Sequence, residues 1–194
     1  MNLLVLGPQG AGKGTQAKRI SSDYGIPHVS TGDMYRAAIA ARSELGLQVE
    51  PILAAGALVP DSVTIPLIEQ RLLEPDAEPG FVLDGYPRNL VQAVALDDLL
   101  AAMSQRLDAI LFFDLDDAVA TERMFRRAVE ENRPDDTPEV IARRLATYHE
   151  QTEPIIEHYR AGGHLVPLDA APAIDEVYAQ VQSALARLGN DGAA

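Results

Sequence analysis

A chain of 194 residues that is 47% hydrophobic and 23% charged, with 14 Gly and 13 Pro, can bury one sizeable core and is neither a disordered polymer nor a fibrous repeat. It has no cysteine, which excludes a disulfide framework, a thiol nucleophile and a cysteine zinc site. Sixteen basic against 29 acidic residues give a net charge of −13 and a pI near 4.6, so nucleic acid and anionic membrane surfaces are poor partners. No apolar run approaches the roughly 18 residues of a membrane span, and the first residues lack the basic-then-apolar layout of a signal peptide. The expectation is a cytoplasmic protein without membrane or nucleic-acid partners.

Along the chain, short apolar runs alternate with longer helical patterns. Leu3-Leu4-Val5-Leu6, His28-Val29-Ser30, Phe81-Val82-Leu83, Ala109-Ile110-Leu111-Phe112-Phe113 and Leu165-Val166 read as strands; the continuous apolar runs among them suit a parallel sheet covered on both faces. Helices are predicted at 13–24, 33–42, 61–73, 89–103, 116–129, 138–161 and 173–188, with Pro154 kinking the sixth. Residues 31–60 contain no clear strand and read as a helical insertion. Residues 75–80 form a turn-rich connector, and 189–194 a flexible tail. The alternation argues an α/β layered fold with its ligand outside the carboxyl ends of the strands.

The strongest motif follows the first strand directly. Gly7-Pro8-Gln9-Gly10-Ala11-Gly12-Lys13-Gly14-Thr15 has the G-x-x-x-x-G-K spacing and opens a helix, the context of a phosphate-binding loop. Its backbone N–H groups and helix N-terminus favour an anion, and Lys13 supplies a point charge for the outer phosphates. Gly14 stands where a Ser or Thr usually follows the lysine; the hydroxyl comes one residue later, at Thr15. Two further segments lie at strand ends. In Thr31-Gly32-Asp33-Met34-Tyr35-Arg36, Asp33 can cap a helix or pair with Arg36. In Asp84-Gly85-Tyr86-Pro87-Arg88, Asp84 is delivered to the sheet edge, where a carboxylate can orient the water shell of magnesium. Arg123 and Arg127 share a helix face and repel each other by a few tenths of a kcal/mol, which an anion would relieve. Glu122–Arg126 and Glu139–Arg143 read as ordinary solvated pairs. Arg133 falls in a loop before Asp135-Asp136, and Arg144 on a helix capped by Thr137 with Pro138 at its first position. His28, His149, His158 and His164 show no metal-ligand spacing and read as structural or surface residues.

The Gly-Lys-Gly-Thr loop, Thr-Gly-Asp-x-x-Arg, Asp-Gly-Tyr-Pro-Arg and the arginine array together resemble the adenylate kinases, nucleoside monophosphate kinases of the short-lid form, over nearly the whole chain from Leu3 to about Leu188. The resemblance implies a three-layer P-loop fold with a central parallel five-stranded sheet. It divides the chain into a core of 1–30, 61–127 and 137–188, a helical NMP-binding insertion at 31–60 and a short lid at 128–136. It implies reversible phosphoryl transfer from MgATP to AMP giving two ADP, for adenine nucleotide homeostasis, by a monomer.

By the same resemblance Gly10, Ala11, Gly12, Lys13, Gly14, Thr15, Arg123, Arg127 and the carbonyl of Pro172 hold ATP. Thr31, Arg36, backbone groups of Ala57, Leu58 and Val59, the Gly85-Tyr86-Pro87-Arg88 run, Gln92, Arg133 and Arg144 hold AMP, Gln92 reading its base. Lys13, Arg88, Arg127, Arg133 and Arg144 act on the transferred phosphoryl group, and Asp84 meets Mg2+ through water. There is no structural zinc. The lid departs from the family at Ala128, where Gly is usual, and in its acidic Val129-Glu130-Glu131. The competing expectations are a UMP or CMP kinase, disfavoured by Thr31 and Gln92; a nucleotide-binding switch without transfer, disfavoured by the acceptor motifs; and an acidic interaction protein with a vestigial loop.

Overall fold

A computed structural model describes residues 1–130 and 137–191; side chains are described through Leu188. Five strands, β1 (Asn2–Leu6), β2 (His28–Ser30), β3 (Phe81–Asp84), β4 (Ala109–Asp114) and β5 (Leu165–Asp169), form one all-parallel sheet in the order β2-β3-β1-β4-β5. The fold class is the one the sequence predicts. Because side chains alternate across a strand, Leu3 and Val5 of β1 join one apolar cluster while Leu4 and Leu6 join another. The first cluster also contains residues of helices α1 (Lys13–Tyr24), α6 (Asp117–Glu130) and α9 (Ile174–Asp191). The second contains residues of α4 (Asp61–Leu72), α5 (Leu90–Ala102) and α8 (Pro154–Arg160). Two helical layers thus cover both faces of the sheet, which is why its strands are apolar without alternation.

Residues 31–60 hold α2 (Thr31–Ala40) and α3 (Glu44–Ala54), with Tyr35, Val49 and Val59 forming a small apolar cluster of their own. Helix α2 starts two residues earlier than predicted, because the Ser30 hydroxyl at the end of β2 accepts the backbone N–H of Asp33 as a cap. Strand β5 runs on through Pro167 to Asp169, beyond the predicted Val166. It is an edge strand, where one side of the backbone needs no ladder partner and a proline is tolerated. The predicted helix 138–161 is three pieces: α7 (Pro138–Thr147), a π-turn over Tyr148–Thr152, and α8 beginning at Pro154. The missing proline N–H is absorbed by this wide turn, in which the Glu153 N–H bonds the Tyr148 carbonyl at 2.8 Å. Helix α9 continues to Asp191, three residues into the expected tail.

Candidate active site

Seven of the sequence's candidate segments converge on one open cavity of about 1240 Å3 above the carboxyl ends of β1, β2 and β3. A pocket for one small ligand spans roughly 300–1,000 Å3, so this volume has room for more than one. Its floor is the loop 7–15. Gly7 has φ 139°, and a Cβ there would lie 2.4 Å from the Phe113 carbonyl oxygen; only glycine lets the loop turn this close to β4. Gly12 precedes α1 in a left-handed conformation and provides no side-chain cap, so the helix N-terminus keeps its donors for an anion. Lys13 Nζ donates to the carbonyls of Gly7 and Pro8, each at 2.7 Å. Burial lowers its pKa to about 8; Asp84 opposes the shift, and the positive charges of Arg88 and Arg127 add to it.

Asp84 closes β3 beside this loop. Burial alone would raise its carboxyl, but the His28 ring at 3.3 Å and the charges of Lys13, His28 and Arg88 outweigh it and hold the group below its ordinary value. Asp84 Oδ2 would lie 3.3 Å from a Cβ at position 14, so Gly14 leaves space beside the carboxylate where the common Ser or Thr would stand. His28, read as structural from sequence alone, therefore belongs to the site. It is placed there by the register that pairs Ser30 with Asp84 and His28 with Val82.

The Thr31–Arg36 and Asp84–Arg88 segments meet at Gly85. Its carbonyl accepts from Thr31 Oγ1 at 2.8 Å and from Arg88 Nε at 2.7 Å. With φ 77° and a Cβ position 2.8 Å from Thr31 Oγ1, no other residue suits this point. Arg88 is half-buried, and its desolvation pulls its pKa down against the opposing charge of Asp84. Its carbonyl accepts from Thr152 in the π-turn at 2.9 Å. Arg36 pairs with Asp33 at 2.5 Å while bordering the cavity. Ala57, Leu58 and Val59 border it too, as do Gly85, Pro87, Gln92 and Arg144. Tyr86 does not: its ring is buried in the second apolar cluster, 2% exposed, and only its neighbours reach the cavity.

On the opposite side, Arg127 faces the cavity and its charge acts on Lys13. Arg123 donates to the carbonyls of Ala170 and Ala171 at 2.8 and 2.7 Å, securing the loop that brings Pro172 to the cavity. Buried Gln16 holds the same loop through the Ile174 carbonyl at 2.9 Å. Arg126 pairs with Glu122 at 3.0 Å, as its spacing predicts. Arg143 differs. Among the described residues it forms no ion pair with Glu139; instead Nη1 donates to the Ala55 carbonyl at 2.6 Å, beside Arg144, whose Nη2 reaches the Leu53 carbonyl at 3.4 Å. Carbonyls at the end of a helix lack intrahelical partners and attract cations, so the last turn of α3 draws both arginines. Arg133 and residues 131–136 of the expected lid lie outside the described residues.

Four other participants were not assigned from sequence. Asp61, at the start of α4, accepts from both Asn89 Nδ2 (2.9 Å) and Gln92 Nε2 (2.7 Å). Asn89 caps α5 by accepting the Gln92 N–H at 2.9 Å. The Asn-x-x-Gln spacing, close to a capping box, was the available signal for that cap. Nothing local signalled Asp61, which lies 31 residues from Gln92. Tyr35 and Thr64 join α2 to α4 through their hydroxyls at 2.7 Å.

Residues 5–164 match the sequence model of the family described as "Adenylate kinase". The chain is 46% identical over 185 residues to an adenylate kinase of Stenotrophomonas maltophilia (strain K279a), covering 95% of this chain and 99% of that one. It is 47% identical over 188 residues to one from Parvibaculum lavamentivorans, covering 95% and 92% respectively. To one from Caulobacter vibrioides it is 48% identical over 185 residues, covering 95% and 97%. With phosphate loop, acceptor motifs and arginines already gathered around one cavity, this likeness along almost the full chain has one meaning: the protein belongs to the adenylate kinase family.

Proposed function

We propose that the protein transfers the terminal phosphoryl group of ATP reversibly to AMP, yielding two ADP, with the donor over the loop 7–15 and the acceptor over the Gly85 junction. The observation that carries this is the position of Lys13, Asp84 and Arg88 between those two half-sites, close enough for each charge to act on the others. Core, insertion and lid take the boundaries expected from sequence: 31–60 as the AMP-binding insertion and 128–136 as the lid.

An AMP phosphate oxygen is anionic near neutral pH, so the attack needs no general base. Rate enhancement comes from alignment and from charge stabilisation of the moving phosphoryl group. Lys13, charged at neutral pH, exchanges its two carbonyl partners for phosphate oxygens. Arg88 bridges the two nucleotides, with Arg127 on the donor side and Arg133 and Arg144 on the acceptor side. Arg123 and Pro172 border the ATP base, and Arg36 leaves Asp33 for the AMP phosphate. Of the Gly85–Arg88 run, Tyr86 contributes through its backbone, since its ring is in the core.

The ionised, half-buried Asp84, close to the start of α1 where Gly14 carries no side chain, would fit a magnesium ion held through water. Such an ion supplies charge neutralisation on the phosphates. Closing the site excludes water, which would otherwise compete with AMP for the phosphoryl group.

The reading takes the enzyme as a cytoplasmic monomer acting on ATP, AMP and ADP. Among the described residues no helix is long and apolar enough to cross a membrane. The test is ADP formation from MgATP with AMP, UMP, CMP and GMP offered separately, beside ATP alone. Turnover is expected with AMP; activity confined to another monophosphate, or equal ATP loss without an acceptor, would overturn the assignment.

A further inference from the structure

Gln92 is 98% buried, and the two ends of its side-chain amide face partners of opposite character. Its Oε1 accepts the Arg88 backbone N–H at 2.8 Å, and its Nε2 donates to Asp61 Oδ1 at 2.7 Å. Neither contact survives a flip of the amide. A flipped side chain would set Nε2 against the Arg88 N–H, donor against donor, and Oε1 against the Asp61 carboxylate, acceptor against acceptor. The backbone N–H cannot reverse its role, and an ionised carboxylate only accepts. The neighbouring Asn89 is fixed in the same way: its oxygen accepts the Gln92 N–H while its Nδ2 donates to the same Asp61 Oδ1. One carboxylate oxygen therefore orients two amides.

After these bonds Gln92 retains one hydrogen on Nε2 and one lone pair on Oε1, and it borders the cavity. An amide so oriented matches a base edge that presents an exocyclic amino group beside an unprotonated ring nitrogen, as adenine does. It mismatches an edge with a carbonyl beside a ring N–H, as in hypoxanthine, guanine or uracil. A site built around such a fixed pair discriminates strongly, because the wrong base leaves buried polar groups unpaired.

We propose that Asp61 is a positioning residue that sets acceptor-base selectivity by locking the Gln92 amide in a single orientation. The proposal rests on the reading that Gln92 contacts the acceptor base. It concerns a residue remote in sequence that needs no contact with the nucleotide itself.

The test is steady-state kinetics of the full chain with AMP and with inosine monophosphate, its 6-oxo counterpart, at saturating MgATP. Asp61→Ala and the near-isosteric Asp61→Leu are expected to lower the AMP-to-IMP ratio of kcat/KM at least tenfold. The loss should come through the KM for AMP, leaving kcat and the KM for ATP within about twofold. Both hydrogen bonds land on Oδ1, so Asp61→Asn, which keeps that oxygen, should recover most of the loss. The proposal is overturned if both acceptor-free variants keep the wild-type ratio, if kcat and both KM values worsen together as a purely structural defect would make them, or if Asp61→Asn loses as much as Asp61→Ala. Should Asp61→Ala not fold, Asp61→Leu decides. Gln92→Ala separates the levels: if it leaves the ratio unchanged, the reading of Gln92 is wrong; if it abolishes the ratio while Asp61→Leu does not, only the role of Asp61 falls.

Discussion

The two halves of the cavity, donor and acceptor in the proposed function, are built on different principles. The donor floor comes from one stretch, β1 through the start of α1, in which nine consecutive residues supply the turn, the helix N-terminus and Lys13. The acceptor half is assembled from the start of α2, the end of α3, the start of α4, the end of β3, α5, α7 and the π-turn, joined by single hydrogen bonds that side chains make to backbone or to each other. A local site is as rigid as its backbone. A site tied together from distant segments can be loosened one contact at a time.

The largest effect expected from this contrast is at the shared charges. Lys13→Ala and Arg88→Ala should each lower kcat by roughly a hundredfold or more, with the fold retained by circular dichroism, because each removes charge from the transferred phosphoryl group in a partly dehydrated site. Arg88→Ala should also weaken AMP binding, whereas Lys13→Ala should leave it nearly intact. Equal damage to AMP binding in both would break the division into halves.

Next in size is a pH effect confined to the donor side. Free Lys13 loses its proton near pH 8, and a polyphosphate favours the charged form. ATP binding should therefore take up a proton above that pH and weaken by about tenfold between pH 7 and pH 9. Calorimetry in buffers of different ionisation enthalpy reads both quantities. The acceptor side is assigned no lysine, so AMP affinity should change less; a flat ATP profile would remove Lys13 as the donor-side charge.

The smallest effect lies in the acceptor scaffold. Arg143→Ala deletes the bond to the Ala55 carbonyl, which borders the segment holding the 57–59 backbone. It should raise the KM for AMP by about threefold to tenfold, in keeping with one charged hydrogen bond, and leave the KM for ATP unchanged. Steady-state kinetics at varied AMP and at varied ATP decide it.

How much of this was legible follows the same division. The sheet, the phosphate loop and the placement of Asp84 at a strand end could be read directly, because apolar runs and turn glycines act on their immediate neighbours. The π-turn before Pro154 was missed, since a proline signals an interruption but not how the chain absorbs it. Arg143 was assigned to Glu139 because i,i+4 spacing permits the pair, while the Ala55 carbonyl at the C-cap of α3, 88 residues away, competes better. His28 had no local pattern marking it, and it joins Asp84 only through the pairing of β2 with β3.

By itself, then, the amino-acid sequence determined the elements, the layers and the glycine-rich loop that carries Lys13 at the end of β1, because periodicity, capping and loop glycines are properties of neighbouring residues. The tertiary structure alone decided which side chains orient those groups: Asp61 on Gln92, Thr152 on Arg88, His28 on Asp84 and Arg143 on α3. Each of these is a directional bond between segments brought close by packing, and direction is defined only once the backbone is in place.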